Sequence, residues 1–523
     1  MIITRHTIIK RTYVISLSIF ILIISCTHFG KNASHQSVSN SSIENGKKLA
    51  AIYCQSCHLL PDPSLLDAKN WEQGVLPAMG PRLGIFDYGF NHYPNSRNDL
   101  NIDRNFYPSK PILTLEEWQN IIDYYTALSP DTLPKQQRQY EVKRNDSLFT
   151  LITPSFRTGL PTTCFVKIDT VPASPQVIIS DMMAKKIFRF DNQLHAIDSI
   201  QTVSPVVDIE RHLQDMIACN IGVMNPNNGK YGSAVHIYAK GKLTEDTSIL
   251  LRGLARPVQV SSADFNADGK TDYLVCEFGN LEGALSWMEN KGNNQYEKHV
   301  LRAFPGAIKA YIRDVNNDGL PDIWALFAQG EEGIFLFTNK GQGKFESEQV
   351  LRFPSINGSS YFEFADFNHD GKPDILYTCG DNADYSPVLK PYHGIYIYLN
   401  DGTNHFKQAY FFPMHGCFKA MARDFDGDGD LDIAAISFFG DYIHQDDQTF
   451  LYLENKGNLD FHPYNIPGTN TGRWLTMDAG DLDNDGKTDI ILGNFSIAPQ
   501  TIKSAANWKQ GPPYIILKNI IKK

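Results

Sequence analysis

The pattern of hydrophobic and polar positions divides the chain into a short helical part and a long part made of strands. From residue 147 onward, apolar runs such as Ile375-Leu376-Tyr377 and Ile433-Ala434-Ala435-Ile436 alternate with turns rich in Asp, Asn and Gly. Runs of this length between turn residues are typical of buried strands. Before residue 131 the apolar spacing is helical instead. We therefore predict a multidomain chain in which a small all-α domain precedes an all-β domain.

Two helices are predicted in the first part. The earlier helix has Leu49 and Ile52 on its apolar side and ends at a Cys-x-x-Cys-His motif. The later helix begins at Thr114, which forms a capping box with Glu117. Its predicted apolar face consists of Leu115, Trp118, Ile122 and Tyr125.

The motif Cys54-Gln55-Ser56-Cys57-His58 is a haem c attachment signal. Two thiols three positions apart can each form a thioether with a haem vinyl group, and the adjoining histidine is then held under the iron as proximal ligand. A redox dithiol would leave His58 without a role, and a zinc site would need a second Cys pair nearby. The sequence therefore predicts one covalent haem c on Cys54, Cys57 and His58.

The sixth position of the iron needs a second ligand or an opening for substrate. Met79 lies in a loop between Pro77 and Pro81, which can present a thioether at a fixed place. We predict Met79 as the distal ligand, with a methionine that only fills a core gap as the alternative. His92 is the rival ligand, although a surface histidine is the preferred interpretation of it.

By these motifs, residues 46–130 resemble a small monohaem cytochrome c domain. The resemblance implies electron transfer through a haem with His58 and Met79 as its axial ligands. The interval between the motif and Met79 is short for that family.

A nine-residue acidic pattern recurs five times, at intervals of 50 to 58 residues. Oxygen-bearing side chains occupy positions 1, 3, 5 and 9, a glycine at position 6 permits a sharp turn, and the carbonyl at position 7 can supply another oxygen, much as in an EF-hand loop. A single copy would be a plain Asx turn, but five copies predict about five calcium sites. The predicted ligands are Asp264, Asn266, Asp268, Lys270 and Asp272; Asp314, Asn316, Asp318, Leu320 and Asp322; Asp366, Asn368, Asp370, Lys372 and Asp374; Asp424, Asp426, Asp428, Asp430 and Asp432; and Asp481, Asp483, Asp485, Lys487 and Asp489, where Lys270, Leu320, Lys372, Asp430 and Lys487 contribute only a carbonyl.

Each acidic repeat carries about four strands, as a propeller blade does. The repeats resemble the FG-GAP or VCBS repeats of integrin α-chain propellers, which implies a propeller that binds a partner or ligand. Two degenerate blades without calcium fit before the first repeat, around residues 177–181 and 220–238, so the ring has seven blades. The last unit lacks an outer strand, and we predict that Ser147 to Ile152 supplies it and closes the ring.

The propeller offers two candidate binding regions. Side chains predicted to face the axial channel are Gln259, Lys309, Tyr361, Lys419 and Thr476. A solvated channel wall is preferred over a substrate site there, because loops usually carry binding. The long loops Gly380 to His393, Gly440 to Thr449 and Asn494 to Pro512 are expected to share one face, which is the candidate docking surface. His393 and His444 are interpreted as ordinary loop histidines.

The first residues have the features of a targeting segment. Arg5, Lys10 and Arg11 precede an apolar run from Val14 to Ser25 that is too short to cross a bilayer. Together with Cys26, this run resembles the lipobox of bacterial lipoproteins, which implies a signal peptide over 1–25, a lipid on Cys26 and a membrane anchor in the cell envelope. An uncleaved anchor helix is the alternative. Residues 26–45 are predicted to be a tether, 131–146 a linker and 147–523 the propeller.

Composition excludes several classes of protein. A chain of 523 residues with 42% hydrophobic residues and a net charge of −10 is globular, has more than one module and lacks the basic surface of a nucleic-acid-binding protein. No catalytic residues are predicted, since no triad or paired acid and base stands out. We expect an electron-transfer protein with an unknown redox partner. The alternatives are an oxidoreductase whose propeller binds a substrate and passes electrons to the haem, and an adhesion propeller for a glycan or protein. Five further cysteines are expected to be buried thiols: Cys164, Cys219, Cys276, Cys379 and Cys417.

Overall fold

The computed structural model describes residues 38–213, 215–238, 241–383, 386–497, 504 and 507–521. The signal peptide, Cys26 and most of the tether lie outside the described residues. Within those residues, no helix is both long enough and apolar enough to span a membrane.

Residues 38–130, called the helical module below, form a small helical unit ahead of the strands. Its elements are the helices α1 (Asn40–Tyr53), α2 (Ala68–Asn70), α3 (Leu76–Met79) and α4 (Leu115–Leu128), the 3-10 turns Pro63–Leu65 and Gly80–Leu83, the π-helical turn Trp71–Val75, and the short strands β1 (Asp87–Tyr88) and β2 (Asn91–His92). Trp71, Trp118 and Tyr125 lie at the centre of its apolar core. A Cβ on Gly46 would lie 1.8 Å from the carbonyl oxygen of Asn120, so α1 and α4 cross with their backbones in close contact.

Two predictions for the helical module are corrected. α1 begins at Asn40, within the segment 26–45 that was predicted to be a tether, because Ser39 accepts a hydrogen bond from Ser42 N at 3.2 Å and caps the helix there. Ile52 is 63% exposed, since it is rotated by about 200° from the buried Ala50 on the helix.

The capping box of α4 is confirmed, but its apolar face begins later than predicted. The side chains of Thr114 and Glu117 both make the expected hydrogen bonds. Leu115 is 57% exposed, while Leu113, the residue before the cap, belongs to the core together with Trp118. This contact is a hydrophobic staple, which fixes the entry of the chain into the helix.

The rest of the chain forms an all-β propeller of seven four-stranded antiparallel blades, as predicted. Blades 1 and 2 contain no acidic repeat, and blades 3 to 7 each contain one. The strands are, for blade 1, β5 (Thr163–Asp169), β6 (Gln176–Asp181), β7 (Lys186–Phe190) and β8 (Ala196–Gln201); for blade 2, β9 (Val206–Arg211), β10 (Asp215–Asn220), β11 (Gly232–Tyr238) and β12 (Thr244–Leu254); for blade 3, β13 (Pro257–Ala263), β14 (Asp272–Glu277), β15 (Ala284–Gly292) and β16 (Gln295–Arg302); for blade 4, β17 (Ala307–Arg313), β18 (Asp322–Phe327), β19 (Gly333–Asn339) and β20 (Phe345–Arg352); for blade 5, β21 (Ser359–Ala365), β22 (Asp374–Cys379), β23 (Gly394–Asn400) and β24 (Phe406–Pro413); for blade 6, β25 (Cys417–Arg423), β26 (Asp432–Ser437), β27 (Phe450–Asn455) and β28 (Phe461–Asn465); and for blade 7, β29 (Trp474–Gly480), β30 (Asp489–Asn494), β31 (Tyr514–Asn519) and β4 (Phe149–Ile152).

Ring closure follows the prediction. β4 pairs antiparallel with β31, with Phe149 opposite Asn519 and Ile152 opposite Ile516. Phe149 is buried against the core of blades 6 and 7. A strand from before blade 1 therefore completes blade 7, which removes an exposed sheet edge.

The segment between the helical module and the propeller lies along the ring and is more than a linker. Gln136 Nε2 donates to the carbonyl of His393 at 2.8 Å, and Arg138 Nε donates to that of Pro413 at 2.8 Å. The short strand β3 (Lys143–Arg144) then pairs in parallel with β28 as a fifth strand of blade 6. The helical module is thus tied to blades 5 and 6 along this segment.

Innermost strands are joined from blade to blade by side chains. Each of these bonds uses a backbone N–H at the inner edge of one blade and a side-chain oxygen of the blade before it, as follows: Val260 N to Asp208 (3.3 Å), Ser262 N to Glu210 (2.9 Å), Ala310 N to Gln259 (2.8 Å), Ala422 N to Glu363 (2.5 Å) and Ile168 N to Asp478 (2.9 Å). Polar side chains of the axial channel therefore satisfy the unpaired edge of the inner strands.

Candidate functional site

The Cys-x-x-Cys-His motif lies at the end of α1. Cys54 caps the helix and donates its backbone N–H to Ala50 O at 2.9 Å. The chain then turns, with Cys57 N donating to Cys54 O at 3.3 Å. Both thiols are free, Cys54 half-buried and Cys57 exposed. Burial, and next the neighbouring Cys57, raise the pKa of Cys54 to about 11. Two reduced thiols on one turn have the chemistry that thioether formation requires.

His58 follows with its imidazole held in one tautomer. Its Nδ1 lies 2.9 Å from the carbonyl oxygen of Leu59. A carbonyl only accepts hydrogen bonds, so Nδ1 carries the proton and Nε2 keeps its lone pair. Burial lowers the pKa of His58, which keeps the ring neutral. A neutral imidazole fixed through Nδ1–H is what an iron ligand requires, so this residue set fits a covalently attached haem.

Met79 and His92 differ in their surroundings. Met79 ends α3 and packs, partly buried, against the core of the helical module that also contacts Cys54. His92 is exposed, and its Nδ1 lies 2.7 Å from a carboxylate oxygen of Asp87. Met79 therefore shares a core with the motif, whereas His92 makes a hydrogen bond at the surface.

The five acidic loops connect the first and second strands of blades 3 to 7. In the loop of blade 3, the two oxygens of Asp264 accept from Asp268 N at 3.1 Å and Gly269 N at 2.8 Å. The glycine at position 6 has a positive φ in all five loops, 81° at Gly269. These bonds hold the loops in the sharp turn that the sequence predicts.

The aspartate at position 9 is buried in every loop. In blade 3, Asp272 Oδ2 accepts from Phe265 N at 3.0 Å and Oδ1 accepts from Asn290 N at 2.8 Å. An asparagine at the end of the third strand repeats this contact in the other acidic blades: Asn339, Asn400, Asn455 and Asn519. This role of the asparagine was not predicted, although an Asn two residues before a Gly recurs there as a signal in blades 3 to 6.

Carboxylates converge most closely in blades 6 and 7. Oxygens of Asp424, Asp426 and Asp432 lie within 4.8 Å of one another, and so do those of Asp481, Asp483 and Asp489. Position 3 is an asparagine in blades 3 to 5, so only two of these three side chains are acidic there. Hard oxygen ligands at this spacing can hold a calcium ion.

Burial affects the charge of these carboxylates. Burial first, and the neighbouring loop carboxylates after it, raise the pKa of Asp432 to about 7 and that of Asp489 to about 6. For Asp426, burial and then Asp428 raise the pKa to about 6. Ionising Asp426 and Asp432 in blade 6, or Asp489 in blade 7, therefore costs free energy. A bound cation would offset this cost.

The side chains predicted for the axial channel lie on the innermost strands, and those of Gln259, Tyr361 and Lys419 make hydrogen bonds within the ring. Lys419 Nζ donates to Met477 O at 2.8 Å, and burial lowers the pKa of this lysine to about 8. Tyr361 and Tyr311 share a hydrogen bond of 3.2 Å between their hydroxyls. These contacts, like the inter-blade bonds, favour a structural wall over a substrate site.

The candidate docking face is partly covered. The three long loops connect second and third strands, which places them at one end of the ring, opposite the acidic loops. Tyr392 OH donates to Leu65 O of the helical module at 3.3 Å, and Val388 packs against that module's core. The loop over Gly380 to His393 therefore makes an internal contact, and only the remaining loops stay candidates for a docking surface.

His393 and His444, both predicted to be ordinary loop histidines, differ in the structure. His393 is fully buried, and neither ring nitrogen has a hydrogen-bond partner among the described residues, so it is not an ordinary loop histidine. The segment through Gln136 covers its backbone. His444 is exposed and bonds to Asp441 at 2.9 Å.

The five propeller cysteines are buried free thiols, as predicted.

A sequence model described as an FG-GAP-like repeat matches residues 264–325, 314–377 and 424–492. The propeller carries FG-GAP-like repeats. This confirms the resemblance stated for the acidic repeats, and repeats of this kind on a propeller indicate binding of a ligand or partner.

Relatives are distant. Over 269 residues the chain is 25% identical to a T-cell immunomodulatory protein homolog of Plasmodium falciparum (isolate 3D7); the match covers 43% of this chain and 36% of that protein. Among solved structures, BBS1N in complex with ARL6DN, soaked with mercury, has a TM-score of 0.41 at 8% identity and covers 72% of this chain and 97% of its own. Sqt1 of Saccharomyces cerevisiae has a TM-score of 0.37 at 12% identity and covers 75% of this chain and 100% of its own.

Proposed function

We propose that the protein is a c-type cytochrome that transfers electrons through one covalently bound haem and carries a calcium-stabilised propeller for a partner or ligand. The observation that carries this proposal is the arrangement of His58, whose Nδ1 is hydrogen-bonded to Leu59 O on the turn that holds two free thiols. When bound, haem supplies one-electron chemistry. Cys54 and Cys57 would attach it through thioether bonds, and His58 and Met79 would ligate the iron.

The haem proposal is tested by expressing the full chain in a host that attaches haem to Cys-x-x-Cys-His motifs. Covalent haem survives a denaturing gel and gives the pyridine spectrum of a c-type cytochrome. We expect attachment in the wild type and its loss in His58→Ala and in Cys54→Ser/Cys57→Ser. His92→Ala is the matched control, because His92 is an exposed histidine of the same module. A wild type without covalent haem refutes the proposal.

Met79 is tested by the spin state of the iron. Two strong axial ligands keep a haem low-spin, whereas an open position makes it high-spin. We expect Met79→Ala to convert a low-spin spectrum to a high-spin one, with Leu83→Ala as the control at another partly buried position of the same core. An unchanged spectrum in Met79→Ala would assign the sixth position to another group.

Calcium is proposed at the five acidic loops, supported by the convergent carboxylates of blades 6 and 7. A cation there would lock the turn between the first two strands of a blade and offset the mutual repulsion of the acids. Its proposed role is to stabilise the ring.

A lipid anchor at Cys26 is proposed from the resemblance of the first residues to a lipobox. It would place the protein in a cell envelope, where haem attachment and redox partners are available. Cys26→Ser should move the protein from the membrane fraction to the soluble fraction, while Cys164→Ser leaves it in the membrane. Retention of Cys26→Ser in the membrane would refute the anchor.

A further inference from the structure

The two outer strands of blade 3 bring two glutamates and a histidine together at the outer side of the ring. Glu289 on β15 lies directly opposite Glu297 on β16, and Trp287 lies opposite His299. Opposed residues, and residues two positions apart on a strand, share one face of a sheet. Ligand atoms of Glu289, Glu297 and His299 all lie within 4.8 Å of one another. Two carboxylates and an imidazole therefore converge on one point.

The opposed glutamates set blade 3 apart from the other acidic blades. Like charges directly opposite each other on neighbouring strands are destabilising, and a cation between them removes this cost. The pairs at the matching positions each contain at most one acid: Thr338 with Glu346, Leu399 with Lys407, Glu454 with His462 and Lys518 with Thr150. The shared strand pattern of the blades therefore does not account for the two acids in blade 3.

Lys291 marks where a cation is held. Its Nζ lies 2.8 Å from a carboxylate oxygen of Glu289 and 3.1 Å from one of Glu297. The side chain is 44% exposed, and its flexible four-carbon stem allows the ammonium to move into solvent. The ammonium is thus a replaceable cation between the two acids.

His299 is oriented toward the same point. Its Nε2 lies 2.8 Å from Oε2 of Glu289. The imidazole stacks on the buried Trp287, with ring centroids 4.5 Å apart and ring planes at 19°. When the proton of the neutral ring is on Nδ1, Nε2 offers its lone pair to a metal ion. The indole therefore holds the ring in a position from which Nε2 can act as a ligand.

We propose that Glu289, Glu297 and His299 bind a divalent transition-metal ion such as Zn²⁺, which displaces the ammonium of Lys291. Carboxylate oxygens and an imidazole nitrogen suit Zn²⁺, with water in the remaining position, whereas Ca²⁺ takes oxygen ligands. The ion ties β15 to β16. Because Glu289 also accepts from Asn266 Nδ2 at 3.1 Å, the ion connects these strands to the acidic loop of blade 3. All three ligands lie outside the acidic loops, and the site does not depend on the haem.

The test is a Zn²⁺ titration of the full-length protein by calorimetry, in excess calcium so that the acidic loops do not take up zinc. We expect His299→Gln to weaken this binding by more than about tenfold, because even residues behind a ligand contribute that much. Glu297→Gln should act in the same direction. Its side chain is 58% exposed, so this variant carries the test if His299→Gln fails to fold. Zinc held elsewhere, for example by the thiols of Cys54 and Cys57, is common to all variants.

Lys291→Gln should have the opposite effect. It removes the positive charge that the ion must displace, so zinc should bind roughly tenfold more tightly. Glu346→Gln is the matched control, since Glu346 occupies the position of Glu297 in blade 4 and also pairs with a lysine, Lys340. Its zinc affinity should equal that of the wild type.

The ion is located by diffraction at the zinc absorption edge from crystals soaked in Zn²⁺. We expect an anomalous peak between Glu289, Glu297 and His299. A titration in which both Glu297→Gln and His299→Gln bind zinc as the wild type does overturns the inference. Equal or weaker binding in Lys291→Gln also overturns it, because the lysine then does not occupy the place of the ion and the cluster is only a network of salt bridges.

Discussion

Calcium should stabilise the propeller, and the size of this effect should depend on pH. The perturbation is removal of calcium with a chelator at pH 5 and at pH 8. Asp432 and Asp489 are buried, and their pKa values are raised from 3.8 to about 7 and about 6. Raising the pKa of Asp432 from 3.8 to about 7 corresponds to about 4 kcal/mol, because each tenfold change in proton affinity is about 1.4 kcal/mol.

The sign follows from the raised pKa. A group whose folded pKa lies above its unfolded value contributes stability that is full below the unfolded pKa and is lost as the pH rises through the folded pKa. For Asp432 this window runs from the unfolded 3.8 to about 7. Calcium-free protein should therefore lose stability across this window. Calcium-bound protein should not, because the ion favours the ionised acids.

The assay is thermal unfolding followed by circular dichroism, with calcium, with magnesium and with chelator. We expect calcium to raise the melting temperature strongly at pH 8 and weakly at pH 5, where protons compete for the same oxygens. Asp424→Asn should reduce the rise, whereas Asp446→Asn, an exposed aspartate outside the loops, should not. An unchanged melting temperature at pH 8, or an equal rise at both pH values, would refute the reasoning.

Three other predictions concern the fold. Phe149→Ala should lower the free energy of unfolding by about 3 to 5 kcal/mol in urea, because it empties a core site on the closing strand; the half-exposed Ile152→Ala should cost much less, and equal losses would contradict the closure. Gly46→Leu should disrupt the crossing of α1 and α4 and abolish cooperative unfolding of the helical module, while Lys48→Leu on the exposed side of α1 should not. Gln136→Ala should speed hydrogen exchange around His393 without changing the melting temperature of the ring, and unchanged exchange would show that this contact does not hold the segment.

Much of the fold could be predicted from the sequence because its signals are local and repeated. Five copies of the acidic pattern set the period of the blades, and the missing outer strand of the last unit pointed to residues near Phe149. Gly and Asn act within a single turn, so spacing alone indicates the loop conformation. The position-9 partner, such as Asn290 for Asp272, was missed because it lies on another strand, 18 residues away.

Other features were decided only by tertiary structure. The start of α1 depends on the cap at Ser39 and on packing against α4. Packing also decides that Leu113, and not Leu115, lies in the core. The burial of His393 depends on a segment more than 250 residues earlier in the chain.

The sequence by itself determined which residues are candidate ligands, since the motif at Cys54 to His58 and the acidic loops are contiguous residues with fixed spacing. The contacts that seat the helical module on the propeller, such as Asp99 with Asn228 and Tyr392 with Leu65, came only from the tertiary structure. The physical reason is that electrostatic and packing contacts act between surfaces distant in the chain. No local pattern of residues encodes which surfaces will meet.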